Sequence, residues 1–157
     1  VRKMEFLLGK QLPYIVVSLI SFFGLVTFAI YVFQVPLKGS LFTLTLGVFL
    51  YIICTTAIGL FISSFVKTQI AALMGTAILT FLPTIQFSGL KEPVSSLEGV
   101  AQYIGNIFPV TYFINISRGV FSKNVSFSEL RFEFFVLSIS IFVILYCSYL
   151  VLNKQEK

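Results

Sequence analysis

The sequence predicts an all-α, polytopic membrane protein with about four transmembrane helices and a re-entrant helical hairpin. Three observations predict it. Hydrophobic residues make up 57% of the chain and charged residues 11%, with a mean hydropathy of +0.99, whereas soluble domains are about 25% charged. Four apolar runs approach the roughly 20 residues that a bilayer-spanning helix needs. Between the third and fourth runs lies a connection, residues 88–131, that is apolar and aromatic yet broken by Pro, Gly, Asn and Arg. The 157 residues suit a single domain of about four spans and leave no room for a soluble catalytic domain beside it.

The chain opens on residues 1–11, where Arg2, Lys3, Glu5 and Lys10 mix with Met4, Phe6, Leu7 and Leu8. Two readings stand: a short amphipathic helix on the membrane surface, or a basic flank that fixes topology. The first span is expected over residues 12–34, with Pro13 tolerated in its first turn. Pro36 and Gly39 mark the following turn. The second span is expected over residues 41–66. Gly59 and Ser63 have the small-xxx-small spacing that lets helices approach closely in lipid, although Gly is common in membrane helices anyway. The third span, residues 69–87, repeats that spacing at Ala71 and Gly75, and Pro83 should kink it or free a carbonyl. A freed backbone group at membrane depth needs a partner in protein or in a wet cavity, so the far end of this span is expected to face protein.

Residues 88–131 are too long for a plain loop. Their apolar centre is too interrupted to span, by Asn106, Pro109, Asn115 and Arg118. Two short helices that dip into the membrane and return, meeting near Phe108-Pro109, fit best. The last span is expected over residues 132–152. Four spans put both termini on one side. With that side cytoplasmic, the inner segments hold Arg2, Lys3, Lys10, Lys67, Lys154 and Lys157 and the outer ones Lys38, Lys91, Arg118, Lys123 and Arg131, a small inward bias that grows once the long outer connection is discounted.

The residue inventory excludes much chemistry. The chain has no His and no Asp, and its six acidic residues are all Glu. That removes His-based acid–base catalysis, Ser-His-Asp triads and His-bearing zinc sites. Cys54 and Cys147 lie inside apolar runs and read as small buried hydrophobes. No metal or catalytic residue is expected. The net charge of +5 is scattered, so no nucleic-acid footprint is formed. Gly9-Lys10-Gln11 lacks the upstream glycine of a phosphate-cradling loop, so ATP is not expected to bind this chain. The spans carry almost no ionisable residue, which counts against a self-sufficient ion-coupled carrier.

Arg118 has three readings: it caps the carbonyl end of a re-entrant helix, it snorkels to headgroups, or it lines a substrate route. Tyr103 and Tyr112 are either interface anchors or ligand contacts. Glu129 and Glu133 are expected to flank the start of the last span and favour its N-terminus.

The order of these features resembles the C-terminal part of the ABC-2 type transporter permeases, the membrane subunits of ATP-driven exporters of the multidrug type. The resemblance covers nearly the whole chain. It is carried by Gly9-Lys10-Gln11-Leu12-Pro13-Tyr14 at the first span, by Gly59-Leu60-Phe61-Ile62-Ser63 with Gln69-Ile70-Ala71, and most specifically by an ordered set. That set is Pro83, Ser88-Gly89, Pro93, Phe108-Pro109-Val110-Thr111-Tyr112-Phe113 and Arg118-Gly119. What the resemblance implies is a permease that dimerises, as homo- or heterodimer, and works with two cytoplasmic ABC ATPase subunits holding ATP and Mg. Under it, Arg2, Lys3, Glu5, Gly9 and Lys10 belong to a coupling segment that touches the ATPase. Pro83, Ser88, Gly89, Pro93, Phe108, Pro109, Thr111, Tyr112, Arg118 and Gly119 belong to an outer gate built on a re-entrant hairpin. The expected home is the cytoplasmic membrane of a bacterium, with both termini cytoplasmic. Family members carry further spans upstream, which suggests that the sequence is truncated. The expected function is ATP-driven export of a lipophilic or amphipathic substrate. The alternative is a non-transporting membrane assembly or anchoring protein that uses its small-residue faces to bind partner helices.

Overall fold

The computed structural model of the chain describes residues 3–66, 68–89, 93–123 and 125–155, with side chains described for 9–66, 68–89, 93–123 and 125–151. Among these residues every regular element is helical. Four helical stretches are long and apolar enough to cross a membrane: Gly9–Tyr31, Leu41–Ser63, Gln69–Phe87 and Arg131–Val151.

Helix α1 (Lys3–Tyr31) is continuous through Pro13. Among the described residues, Lys3, Glu5 and Lys10 lie on the same continuous helix as the first span. The bond that Pro13 cannot make would have gone to the Gly9 carbonyl, which lies at the exposed start of the span. At its other end α1 stops before the Pro36 and Gly39 breakers. Gln34 adopts a left-handed φ of 51°, and the Val35 N–H reaches back to the Ala29 carbonyl at 3.2 Å, a closure similar to a Schellman motif.

Helix α2 (Leu41–Ser63) is the centre of the bundle. It packs most heavily on α7 (Arg131–Gln155), then on α1 and on α6 (Pro109–Arg118). The core joins Val26 of α1, Leu44 of α2, Ile116 of α6, Val120, Leu130, and Phe134 and Leu137 of α7. Gly47 lets α6 come close: a Cβ there would lie 2.9 Å from Ile116 Cγ2. Gly59 is different, because a Cβ there would meet nothing within 4 Å. Among the described residues no helix therefore makes a close approach at Gly59. At Gly75 a Cβ would make only an ordinary 3.7 Å contact with Ile62.

The third span is α3 (Gln69–Thr76), a wide π turn (Ala77–Phe81) and α4 (Leu82–Phe87) in one run. The Thr68 side chain caps its start by accepting from the Ala71 N–H at 3.3 Å. Pro83 cannot donate to the Leu79 carbonyl, and the helix widens into the π turn just ahead of it. No residue of these three segments is buried. Towards the far end Pro83, Thr84, Ile85 and Phe87 are half-buried, and Ser88 and Gly89 beyond them are buried.

Hydroxyl groups within the spans are satisfied by their own helices. Ser21, Thr27, Thr56 and Ser148 each donate to the carbonyl four residues back, at 2.7–2.9 Å. Lipid offers no hydrogen bonds, so this local solution is the cheapest.

The two faces of α2 give a direct comparison. Gly47→Leu should destabilise the bundle by about 1–3 kcal/mol through overpacking against Ile116, read as a lower unfolding midpoint in detergent. Gly59→Leu, with the same change in helix propensity, should leave that midpoint almost unmoved.

Candidate functional site

The site is built where the third span ends. Ser88, fully buried, donates from its Oγ to the Thr84 carbonyl. Gly89 then takes a φ of 83°, which a side chain would resist, and turns the chain out of the helix. A single 3-10 turn (Val94–Ser96) follows Pro93, and then α5 (Val100–Ile107). Gly105 docks α5 onto the end of the third span. A Cβ on it would lie 2.5 Å from the Phe87 carbonyl oxygen and 2.8 Å from Val94 Cγ1.

The joint between α5 and α6 follows from Pro109. Phe108, preceding a proline, is extended with φ −75° and ψ 123°. Pro109 fills the first position of α6, where a missing N–H costs least. But it also sits four residues after Gly105, so the Gly105 carbonyl loses its helical donor. The buried Thr111 hydroxyl replaces it, donating to that carbonyl at 2.6 Å. The next carbonyl, of Asn106, accepts from the Tyr112 hydroxyl. Burial first, and then the nearby Glu133 carboxylate, hold the Tyr112 phenol above its usual range. The first turn of α6 thus satisfies the last carbonyls of α5.

The α5–α6 pair rests on two walls. Phe113 stacks on Tyr51 of α2, with ring centroids 4.5 Å apart and planes 8° apart. Tyr112 meets Phe132 at the start of α7, edge to face at 6.1 Å. Beyond α6 the helix does not close at Arg118-Gly119, as its sequence suggests, but runs on as a second π turn (Gly119–Lys123). The Val120 carbonyl there accepts from the Gly39 N–H at 2.8 Å, which ties this end to the connection between α1 and α2.

Beside the second wall, with Tyr112 and Phe132 in its lining, lies a cavity of about 340 Å3. It gathers Gly89, Pro93, Thr111, Tyr112 and Arg118 from the expected gate set. Ser88, Pro109 and Gly119 are buried in its supports, Phe108 is half-buried at the joint, and Pro83 lies further back in the third span. Arg118 is exposed in the last turn of α6, where the helix runs on into the π turn, and it lines this cavity. Asn106, Asn115 and Glu133 join the lining. Glu133 lies in the first turn of α7, as its sequence position implies. Yet its Oε2 is buried without a hydrogen-bond partner among the described residues. Its facing the cavity needed the tertiary structure to appear. Glu129 caps the turn ahead of α7 by accepting from the Ser126 N–H at 3.2 Å.

The arrangement offers hydroxyls, amides, a guanidinium and a carboxylate around one space. No group of three potential metal ligands occurs among the described residues. A larger furrow of about 640 Å3 runs along Phe142, Tyr146 and Tyr149, but all its lining comes from the outer side of α7. At the opposite end of α1, Arg2 lies outside the described residues, as do the side chains of Lys3 and Glu5. Gly9 and Lys10 are exposed.

Comparison with known proteins agrees with this architecture. A family model described as ABC-2 family transporter protein matches residues 1–151. YbhS of Escherichia coli strain K12, described as a "probable multidrug ABC transporter permease", is 27% identical over 121 residues, covering 77% of this chain and 32% of YbhS. The inner membrane transport permease YhhJ of the same strain is 30% identical over 125 residues, covering 78% of this chain and 33% of YhhJ. ABC transporter G family member 20 of Dictyostelium discoideum is 26% identical over 159 residues, covering 100% of this chain and 22% of its own length. The chain therefore spans about a third or less of these relatives. No solved structure matches.

The α5–α6 joint can be tested at Thr111. Thr111→Val keeps the shape and removes the donor to Gly105. It should cost about 1–3 kcal/mol locally, seen as faster amide hydrogen exchange in α5 with exchange in α2 unchanged.

Proposed function

Since the chain belongs to the ABC-2 transporter family, we propose that it is part of the transmembrane permease of an ATP-driven exporter. Partner ABC ATPase subunits hold ATP and Mg and supply the energy, and a second permease copy completes the pathway. The substrate leaves the cell and is lipophilic or amphipathic. This reading is supported by the apolar, almost charge-free spans and by the word multidrug in the names of YbhS and its relatives.

The observation that carries the proposal is the joint at Gly105. There α5 is seated on the last carbonyl of the third span with no room for even a methyl group. A tilt of the third span therefore has to carry α5, α6 and the cavity wall with it, since packed groups move as rigid bodies. The α5–α6 pair then acts as an outer gate, a hairpin that enters the membrane from the outside. The first turns of α1 act as the coupling segment at the other end. Because α1 is one helix from Lys3 to Tyr31, a push on its basic start reaches the bundle without a flexible joint. Both termini are placed in the cytoplasm, which agrees with the four candidate spans, the basic inner segments and the inner membrane named for YhhJ.

Two measurements test this. In a background with Cys54→Ala and Cys147→Ala, single cysteines at Ser96, Asn106 and Ser122 should react with a membrane-impermeant thiol reagent added outside intact cells. Reaction only after the cytoplasmic side is opened would invert the topology and remove the outer gate. Charge reversal by Arg2→Glu with Lys3→Glu should abolish stimulation of the partner ATPase while membrane insertion is retained. Undiminished stimulation would end the coupling assignment.

A further inference from the structure

A second cavity lies at the other end of the bundle, between the start of α1 and the end of α2. It measures about 270 Å3, and Lys10, Gln11, Tyr14, Thr56, Gly59 and Ser63 line it. Its unusual member is Gln11. This side chain is 1% exposed, and neither its amide nitrogen nor its amide oxygen has a hydrogen-bond partner among the described residues. Span hydroxyls solve the same problem on their own helix, as Thr56 does by donating to the Ile52 carbonyl at 2.8 Å. A glutamine amide must satisfy a donor and an acceptor at once, and a buried polar group without partners is costly. The amide is therefore a built half of a polar contact.

The position of the cavity says what completes it. Lys10 and Gln11 are the second and third residues of the span Gly9–Tyr31. Ser63 is the last residue of the span Leu41–Ser63. The cavity thus sits at the depth where lipid headgroups give way to acyl chains. Its wall opens sideways past the exposed Tyr14 and Ser63, not into the core of the bundle. Gly59 lines it, and a Cβ there would have no atom of another helix within 4 Å among the described residues. The volume is below the roughly 300–1,000 Å3 of pockets for drug-sized ligands, which suits a headgroup better than a whole amphipathic substrate.

We infer that the groove formed by Lys10, Gln11, Gly59 and Ser63 is a binding site for one anionic phospholipid with a hydroxylated headgroup. The lipid phosphate lies beside the Lys10 ammonium. The Gln11 amide nitrogen donates to an ester carbonyl of the lipid, and its amide oxygen accepts from a headgroup hydroxyl. The acyl chains run outside, along α1. The site is separate from the outer cavity and stands on the geometry of α1 and α2 whatever the protein moves.

The test uses the protein in nanodiscs of phosphatidylcholine containing a minor fraction of phosphatidylglycerol. Lipid retained after detergent release is counted by native mass spectrometry. The wild type should retain phosphatidylglycerol several-fold above its share of the bilayer. Gln11→Leu should return retention to the bulk ratio, and Gln86→Leu, an exposed glutamine of the third span, should not. Gly59→Leu is a second, independent variant that adds a side chain to the groove from the α2 side, where its Cβ meets no other helix among the described residues, and it should also abolish the enrichment. Helix content by circular dichroism confirms that each variant is folded. Retention at the bulk ratio in the wild type, or enrichment that survives in both groove variants, overturns the proposal. So does displacement of the lipid by soluble glycerol 3-phosphate, which would make the site one for a free phosphate ester.

Discussion

The structure depends on one constraint: at membrane depth every backbone carbonyl and N–H must find its partner within the protein. Unbroken α-helix meets it with little help, and three of the four spans are α-helix from end to end. Where proline breaks the ladder, the chain must supply a substitute. At Pro83 the substitute is a change of winding, the π turn over Ala77–Phe81. At Pro109 it is a side chain, because Thr111 supplies the donor that the proline lacks and Tyr112 covers the next carbonyl. The two prolines end in different structures because one has more helix on both sides and the other stands between two short helices.

The same constraint separates the two ends of the molecule. At one end, α5, α6 and the start of α7 wrap a cavity whose polar groups come from irregular backbone and from Arg118 and Glu133. Such backbone is tolerated at depth only where protein or water shields it. At the other end, α1 and α2 are regular, and polarity enters through one buried glutamine and the lysine beside it. Between these ends the core is aliphatic and aromatic, with Leu44, Ile116 and Leu137 among its fully buried members. The outward faces of α1 and the third span carry large apolar side chains such as Leu25, Ile70 and Leu73. In water such a surface would mark an error or an interface, whereas here it matches a hydrocarbon solvent.

What the sequence determined by itself was the set of elements. Hydropathy and length locate four apolar helices because each span must be long and apolar on its own, whatever its neighbours do. The Phe108-Pro109 break is also legible, since the proline ring restricts its own φ and the residue before it locally. Ends set by side-chain or backbone reach were less legible. Gln34 stops α1 ahead of the obvious breakers, and Gly119 continues a helix where Arg-Gly suggests a stop.

Only the tertiary structure decided which small residues matter and which polar ones meet. Gly47, Gly59 and Gly105 look alike in the sequence, yet one admits Ile116, one faces open space, and one sits against the Phe87 carbonyl. Arg118 and Glu133 come from different helices and share a cavity that neither helix contains. Gln11 reads as one polar residue in a basic flank until α2 covers it. The physical reason is common to all three cases. Packing and burial depend on which face of a helix meets which neighbour, and a span that is hydrophobic all round carries almost no signal of its own facing.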